Sequence, residues 1–217
     1  GTGIISSACW QERNISLVNG CNSTVLWGEK RVLKLEEVIK ENPIIAAVRD
    51  MSSLPAALKS RVSAIFLLCG EICSLGEAVA AGHRAGKPIF LHIDLVEGLG
   101  RDKAAIKYLA QEVKPDGIIT TRSHLIRYAK DYKLYTIQRI FVLDSLSLKT
   151  GIANVKETEP DALECLPGIM PRVLNRLARE LSQPVIAGGL IRSREEIEAI
   201  LAAGAVAVSL SEQTLWQ

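Results

Sequence analysis

The sequence predicts a single-domain α/β fold, a (β/α)8 TIM-type barrel, on three observations. Eight short apolar runs recur along the chain, amphipathic segments separate most of them, and polar residues gather where the runs end. The runs are nearly continuous in apolar residues rather than alternating. Both faces of each strand are therefore buried, as in a parallel sheet under helices. Eight such units in 217 residues suit one closed barrel in length as well as in pattern.

Residues 1–30 are rich in Gly, Ser and Asn, show no clear period, and are read as an N-terminal extension outside the barrel, which takes residues 31–217. Val32, Leu35 and Ile39 make a helical stripe that stops at Asn42-Pro43, because proline disfavours helix in the residue before it. The first strand is Ile44–Val48, and the others are 64–68, 89–93, 117–120, 134–138, 162–166, 185–188 and 205–209. Between them, 76–85, 101–112, 123–130, 146–157, 172–181 and 194–203 are amphipathic. Pro43, Pro88, Pro115, Pro160 and Pro184 each introduce a run and set a sharp helix-to-strand turn. The phrases Lys114-Pro115-Asp116-Gly117 and Glu159-Pro160-Asp161-Ala162 echo one another before runs four and six. An open doubly wound sheet would want a glycine-rich phosphate turn after its first strand. Arg49-Asp50-Met51-Ser52 stands there instead.

Composition narrows the function classes. The chain is 48% hydrophobic and 23% charged, which allows a large core. Its 26 Lys+Arg against 24 Asp+Glu leave a formal charge of +2, so bulk charge makes no case for nucleic acid, although a local basic face stays open. Five cysteines, at 9, 21, 69, 73 and 165, include no CxxC pair and argue against a disulfide framework or a zinc knuckle. Reduced thiols of a cytoplasmic protein are the plainer reading. No apolar run approaches the ~18 residues of a membrane span.

In such barrels the working residues lie at the C-terminal ends of the strands. Those ends carry Arg49 and Asp50, then Asp94, then Thr120, Thr121 and Arg122, then Gln138 and Arg139, Glu164, Gly188 and Gly189, and finally Ser209 and Ser211. The most specific pattern is Gly188-Gly189 followed by Arg192 after strand seven, with the hydroxyls of Ser209 and Ser211 closing strand eight. Glycines there let backbone N–H groups approach an anion, and these two loops build phosphate sites in barrels of this kind. No catalytic set, metal cluster or cofactor motif stands out. No lysine follows strand six, where Glu164-Cys165-Leu166-Pro167 stands, so a Schiff base is not foreseen. His92, two residues before Asp94, is open as an acid–base partner, a metal ligand or a satisfied core group. Two basic stripes complete the candidates: Arg172, Arg176 and Arg179 at helical spacing, and Arg122, His124, Arg127 and Lys130. Each is either a solvated helix face or a contact surface for a phosphate backbone.

From about Pro43 to Trp216 the chain resembles the bacterial glycerol-3-phosphate-responsive antiterminator family. The phrases that carry this are Pro43-Ile44-Ile45-Ala46-Ala47-Val48-Arg49, His92-Ile93-Asp94-Leu95-Val96-Glu97-Gly98-Leu99 and Lys114-Pro115-Asp116-Gly117-Ile118-Ile119-Thr120-Thr121-Arg122. Gln138-Arg139-Ile140-Phe141-Val142-Leu143-Asp144-Ser145, Leu166-Pro167-Gly168-Ile169-Met170-Pro171 and Ile186-Ala187-Gly188-Gly189-Leu190-Ile191-Arg192 continue it. The 69–73 segment and the extension before Lys30 lie outside that pattern. The resemblance implies a cytoplasmic transcription regulator rather than an enzyme, binding glycerol 3-phosphate and then leader mRNA of glycerol-utilisation operons. It implies a phosphate cradle at strands seven and eight, with Asp94 and Gln138 toward glycerol hydroxyls. Arg122 and Arg139 would complete the phosphate clamp or hold carboxylates. RNA contact would fall to the stripes, at Arg172, Arg176 and Arg179 or at Arg127 and Lys130. A homo-oligomer is compatible with this reading. The rivals are a barrel isomerase or lyase acting on a phosphorylated metabolite, and a sensor that answers to a protein partner alone.

Overall fold

The structure is a computed structural model that describes residues 34–217. The expected extension, 1–30, and Val32 of the first helical stripe lie outside the described residues. Helix α1 (Leu35–Val38) leads into β1 (Ile44–Val48), a 3-10 turn (Met51–Ser53), α2 (Leu54–Lys59) and β2 (Ala64–Leu67). Then come α3 (Leu75–Arg84), β3 (Ile89–His92), a 3-10 turn (Ile93–Leu95), α4 (Lys103–Tyr108) with a π turn (Leu109–Val113), β4 (Gly117–Thr120) and α5 (Ser123–Asp131). The chain continues through β5 (Tyr135–Phe141), α6 (Ser145–Thr158), β6 (Ala162–Leu166), α7 (Pro171–Glu180), β7 (Val185–Gly188), α8 (Arg194–Ala202) and β8 (Ala207–Leu210), ending in a 3-10 turn (Gln213–Leu215).

Each strand pairs in parallel with the next and β8 pairs with β1, so the sheet closes into the expected barrel. Among the differences from what the sequence predicts, three stand out. Strand β5 runs three residues past Gln138, which puts Arg139 inside the strand rather than beyond its end. Strand β8 begins at Ala207, two residues later than expected. Helix α2 was not foreseen, being short and carrying Pro55 in its first turn.

Because successive residues of a strand point to opposite faces, the registers divide the side chains into an outer and an inner set. Outward residues such as Ile65, Leu91, Ile118, Leu163 and Val208 pack with Leu75, Leu125, Leu174 and Ile200 of the helices. Inward residues stack in layers supplied by alternate strands. Ile45, Phe90, Ile137 and Ile186 form one layer, and Phe66 and Ile119 sit in the next. Leu35 and Ile39 join this inner cluster with Tyr135 and Val206, so α1 covers the N-terminal end of the barrel. The interior opens at the opposite mouth.

The two echoing Pro-Asp phrases have one job each at the N-terminal face. Asp116 accepts from the amide of Ile89 at 2.8 Å and lies 2.9 Å from His83 Nε2, tying β4's turn to the start of β3. Asp161 accepts from the amide and hydroxyl of Thr136 at 2.8 and 2.7 Å, tying β6's turn to β5. Asp161→Ala is expected to cost roughly 1.5–3 kcal/mol in urea unfolding, the range for hydrogen bonds to a charged acceptor, without changing ligand affinity. A loss of affinity as well would mean that the two ends of the barrel are coupled.

Candidate functional site

The third interior layer consists of Ala47, His92, Arg139 and Gly188, contributed by β1, β3, β5 and β7. The layer beneath it carries Glu164 and Ser209 beside Phe66 and Ile119. Polarity thus appears in the barrel only in its upper half. Glu164 is fully buried, and both its oxygens are occupied: Arg139 Nε donates to Oε2 and Ser209 Oγ donates to Oε1, each at 2.6 Å. Gly188 lies where a Cβ would come within 2.6 Å of Glu164 Oε1 and 2.7 Å of Ser209 Oγ. This glycine therefore makes room for the Glu164–Ser209 bridge. Ser209, expected at a phosphate, has its hydroxyl turned to Glu164 instead.

His92 is 3% exposed, and its Nδ1 has no hydrogen-bond partner among the described residues. Burial first, then the positive charge of Arg139, pulls its pKa from an ordinary 6.5 down to about 4, with Asp94 pulling weakly the other way. The imidazole is neutral near pH 7.

Asp94 stands just past β3 as the hub of the neighbouring strand end. It accepts from the hydroxyl of Thr120 at 3.0–3.1 Å, the amide and hydroxyl of Thr121 at 2.8 and 3.1 Å, and Arg122 Nε at 3.2 Å. Its carboxylate is filled by these four donors, and Arg122 is held to it. Gln138 is on the outer face of β5, where its amide accepts from Thr158 and reaches Ser123 Oγ at 3.5 Å. Strand alternation explains this: if Ile137 and Arg139 point to the interior, as their layers require, Gln138 points to the helices. Its expected place beside a glycerol hydroxyl is corrected accordingly.

A pocket of about 300 Å³ opens at the loops after β1, β7 and β8, lined by Arg49, Leu190, Ile191, Arg192, Ser211 and Glu212. Gly189 and Leu190 turn the chain outward from β7 with φ of +79° and +65°. The first of these positions favours glycine, since left-handed backbone is costly for other residues. The start of α8 serves itself. Glu196 Oε2 accepts from the amides of Arg192 and Ser193 at 2.6 and 3.2 Å, and Ser193 Oγ accepts from the amide of Glu196. The lining brings two arginines and a serine to the place where an anion would sit. Glu212 was missed in the sequence; its carboxylate is turned to the amide and hydroxyl of Thr214.

The basic stripes differ. Arg172, Arg176 and Arg179 are exposed on α7, where Arg176 alone of the three is paired among the described residues, to Glu180 at 2.6 Å. Arg127 is tied to Glu157 at 2.6 Å, and Lys130 donates to the carbonyls of Thr158 and Glu159 at 3.3 and 2.8 Å. These two clamp α5 to the end of α6. Among the described residues no three His, Cys, Asp or Glu side chains are placed to hold a metal ion, and no helix is long and apolar enough to cross a membrane.

A family model described as glycerol-3-phosphate responsive antiterminator matches residues 44–216. The chain is 36% identical over 184 residues to the uncharacterized protein YgcP of Escherichia coli, covering 85% of this chain and 96% of that one. It is 38% identical to a glycerol uptake operon antiterminator regulatory protein of Listeria monocytogenes in crystal form, with a TM-score of 0.78 over 81% of this chain and 95% of that one. A glycerol uptake operon antiterminator-related protein of Thermotoga maritima is 33% identical, with a TM-score of 0.71 over 80% and 96%. With a family model that runs from the first strand of the barrel to its last turn, the chain belongs to the glycerol-3-phosphate responsive antiterminator family.

Proposed function

We propose that this chain is a cytoplasmic glycerol-3-phosphate sensor that binds leader mRNA of glycerol-utilisation operons and prevents termination. The observation that carries this is the pocket in which Arg49, Arg192 and Ser211 converge from the loops after β1, β7 and β8. Arginine forks suit phosphate in both charge and geometry, and these loops are where barrels of this kind hold it. The carboxylates at the strand ends favour binding over turnover. Asp94 is filled by four donors and Glu164 by two, so neither is free as a general base.

RNA contact is assigned to α7, whose arginine stripe has the least intramolecular pairing of the two. The loop leading into α7 touches the loop lining the pocket, because Gly168 N donates to Gly189 O at 3.2 Å and a Cβ on Gly168 would meet Gly188 N at 2.9 Å. On this reading the two sites share a backbone contact, and linkage makes the effect of either ligand on the other's affinity reciprocal.

Leader RNA binding, measured with and without glycerol 3-phosphate, tests this. Changing Arg172, Arg176 and Arg179 to Ala is expected to weaken RNA binding and to reduce its salt slope by roughly one for each phosphate no longer neutralised, with ligand affinity unchanged. Arg49→Ala and Arg192→Ala are each expected to weaken glycerol 3-phosphate about 10- to 100-fold, the worth of a charge-assisted hydrogen bond. RNA affinity indifferent to the ligand rejects the sensor reading.

A further inference from the structure

Among the described residues, large apolar side chains are exposed almost only at the barrel mouth. Of the seven so exposed, six stand on segments that follow strands at their C-terminal ends. Four of these, Phe141, Leu143, Leu146 and Ile169, come after the neighbouring strands β5 and β6. Single exposed leucines are ordinary, whereas a cluster on one edge marks a contact surface. The two strands are paired to their last residues: Phe141 is in register with Leu166, and the amide of Val142 donates to Leu166 O at 2.8 Å. Phe141 shares the inward face of β5 with Ile137 and Arg139, so its ring, 52% exposed, stands over the mouth. Leu143 is 85% exposed and Leu146 71%, and three hydrogen bonds fix the turn that presents them. Ser147 Oγ accepts from the amides of Leu143 and Asp144 at 2.9 Å, and Asp144 accepts from the amide of Ser147 at 2.7 Å. Their exposure is built into the start of α6.

Cations border the patch. Arg172 follows Ile169 by three residues in the first turn of α7. Lys149 follows Leu146 by three residues on α6, which puts the two on one side of that helix. Both cations are exposed, and neither has a hydrogen-bond or ion-pair partner among the described residues. Asp144 is the one carboxylate in segments 141–149 and 166–172, and it is spent on capping α6. A second copy of the chain seated here on a two-fold axis would set these cations against themselves. A nucleic acid strand offers the complement, a flat apolar base with an anion on either side. Paired bases keep their faces inside the stack, so apolar side chains reach them only where the strand is unpaired.

We propose that the β5–β6 edge of the mouth binds unpaired bases of RNA, with Phe141 stacking on a base bordered by Leu143, Leu146 and Ile169, and with Arg172 and Lys149 taking the flanking phosphates. This deepens the reading of the chain as an RNA-binding sensor and rests on it. It extends the α7 stripe from its first arginine onto the mouth, and it makes the recognised part of the leader a loop or single strand.

The test measures binding of leader RNA to the full chain with glycerol 3-phosphate present, as a single strand and annealed to its complement. Phe141→Ala is expected to weaken the single strand about 5- to 150-fold, the worth of one stacked base, with the salt slope unchanged because no charge is removed. Phe141→Trp is expected to bind as wild type does. Lys149→Ala is expected to do the opposite of Phe141→Ala, lowering the salt slope by roughly one. The annealed RNA should bind more weakly to wild type and be indifferent to Phe141→Ala. On the wild-type protein, ultraviolet crosslinking to leader RNA carrying 5-iodouracil is expected to label the peptide that contains Phe141, which covers the case of a variant that does not fold. Equal single-strand affinity in wild type and Phe141→Ala overturns the stacking site and leaves the sensor reading standing. Wild type that binds no leader RNA overturns both. If Phe141→Ala and Leu143→Gln leave RNA affinity intact but shift the sedimentation of the RNA-free protein, the patch is a contact between copies and the proposal fails.

Discussion

Arg139→Ala is expected to destabilise the protein by about 3–5 kcal/mol, because it strands a buried carboxylate. Glu164 has no access to solvent, and Arg139 is its one ion-pair partner among the described residues. Ser209 supplies one neutral hydrogen bond to the other oxygen, which cannot replace the lost charge. For a domain of this size the loss is a fall in Tm on the order of 10 °C. The pair itself need not be worth that much, since removing both charges often costs little. Arg139→Met combined with Glu164→Leu is therefore expected to be more stable than Arg139→Met alone. Urea unfolding of the two singles and the double, read as a cycle, checks this. A single-variant cost below about 1 kcal/mol means that water reaches Glu164 once Arg139 is gone. Gly188→Ala should fail for a related reason, because its methyl would displace the Glu164–Ser209 bridge.

That network also explains what the sequence did and did not reveal. Strands β1, β4, β6 and β7 were legible residue for residue because a proline or glycine bounds a short, mostly apolar run. Strand β5 was cut short at Gln138 because polarity in a run reads as its end. The structure satisfies each polar residue by a partner far along the chain: Thr158 for Gln138 and Glu164 for Arg139, 20 and 25 residues away. Spacing along one strand carries no sign of such a partner. The same blindness hid the packing role of Gly188. Its pairing with Gly189 resembled an anion turn, yet only the register of β6, β7 and β8 shows that a carboxylate and a hydroxyl meet beneath it. Arg49, Arg192 and Ser211 line one pocket because strand ends of a barrel converge by topology alone, whatever the packing beneath.

Acid is expected to unfold the protein earlier than its carboxylates alone would dictate, and His92 is the reason. Its folded pKa of about 4 lies below the ordinary 6.5, so between those values the unfolded chain holds a proton that the native protein refuses. Stability then falls as pH falls through that window, by up to about 1.4 kcal/mol per unit and about 3 kcal/mol in all by pH 4. The exposed carboxylates whose pKa values hydrogen bonds hold down, Asp50, Asp144, Glu180 and Glu195, lose their contribution at lower pH, below their ordinary values of 3.8 to 4.5. The two effects separate along the pH axis. Urea unfolding of wild type and His92→Leu from about pH 7.5 to 4.5 isolates the histidine, since every other group cancels in the difference. The charges that act on it are Arg139 from β5 and Asp94 from its own loop, with Arg122 holding Asp94 in place. Arg139 is the one that lowers the pKa beyond burial, so Arg139→Met should raise it and shallow the slope even in a less stable protein. Parallel wild-type and His92→Leu curves would mean that the imidazole is hydrated in the folded state, and the buried, unpaired Nδ1 at the barrel mouth would lose its physical basis.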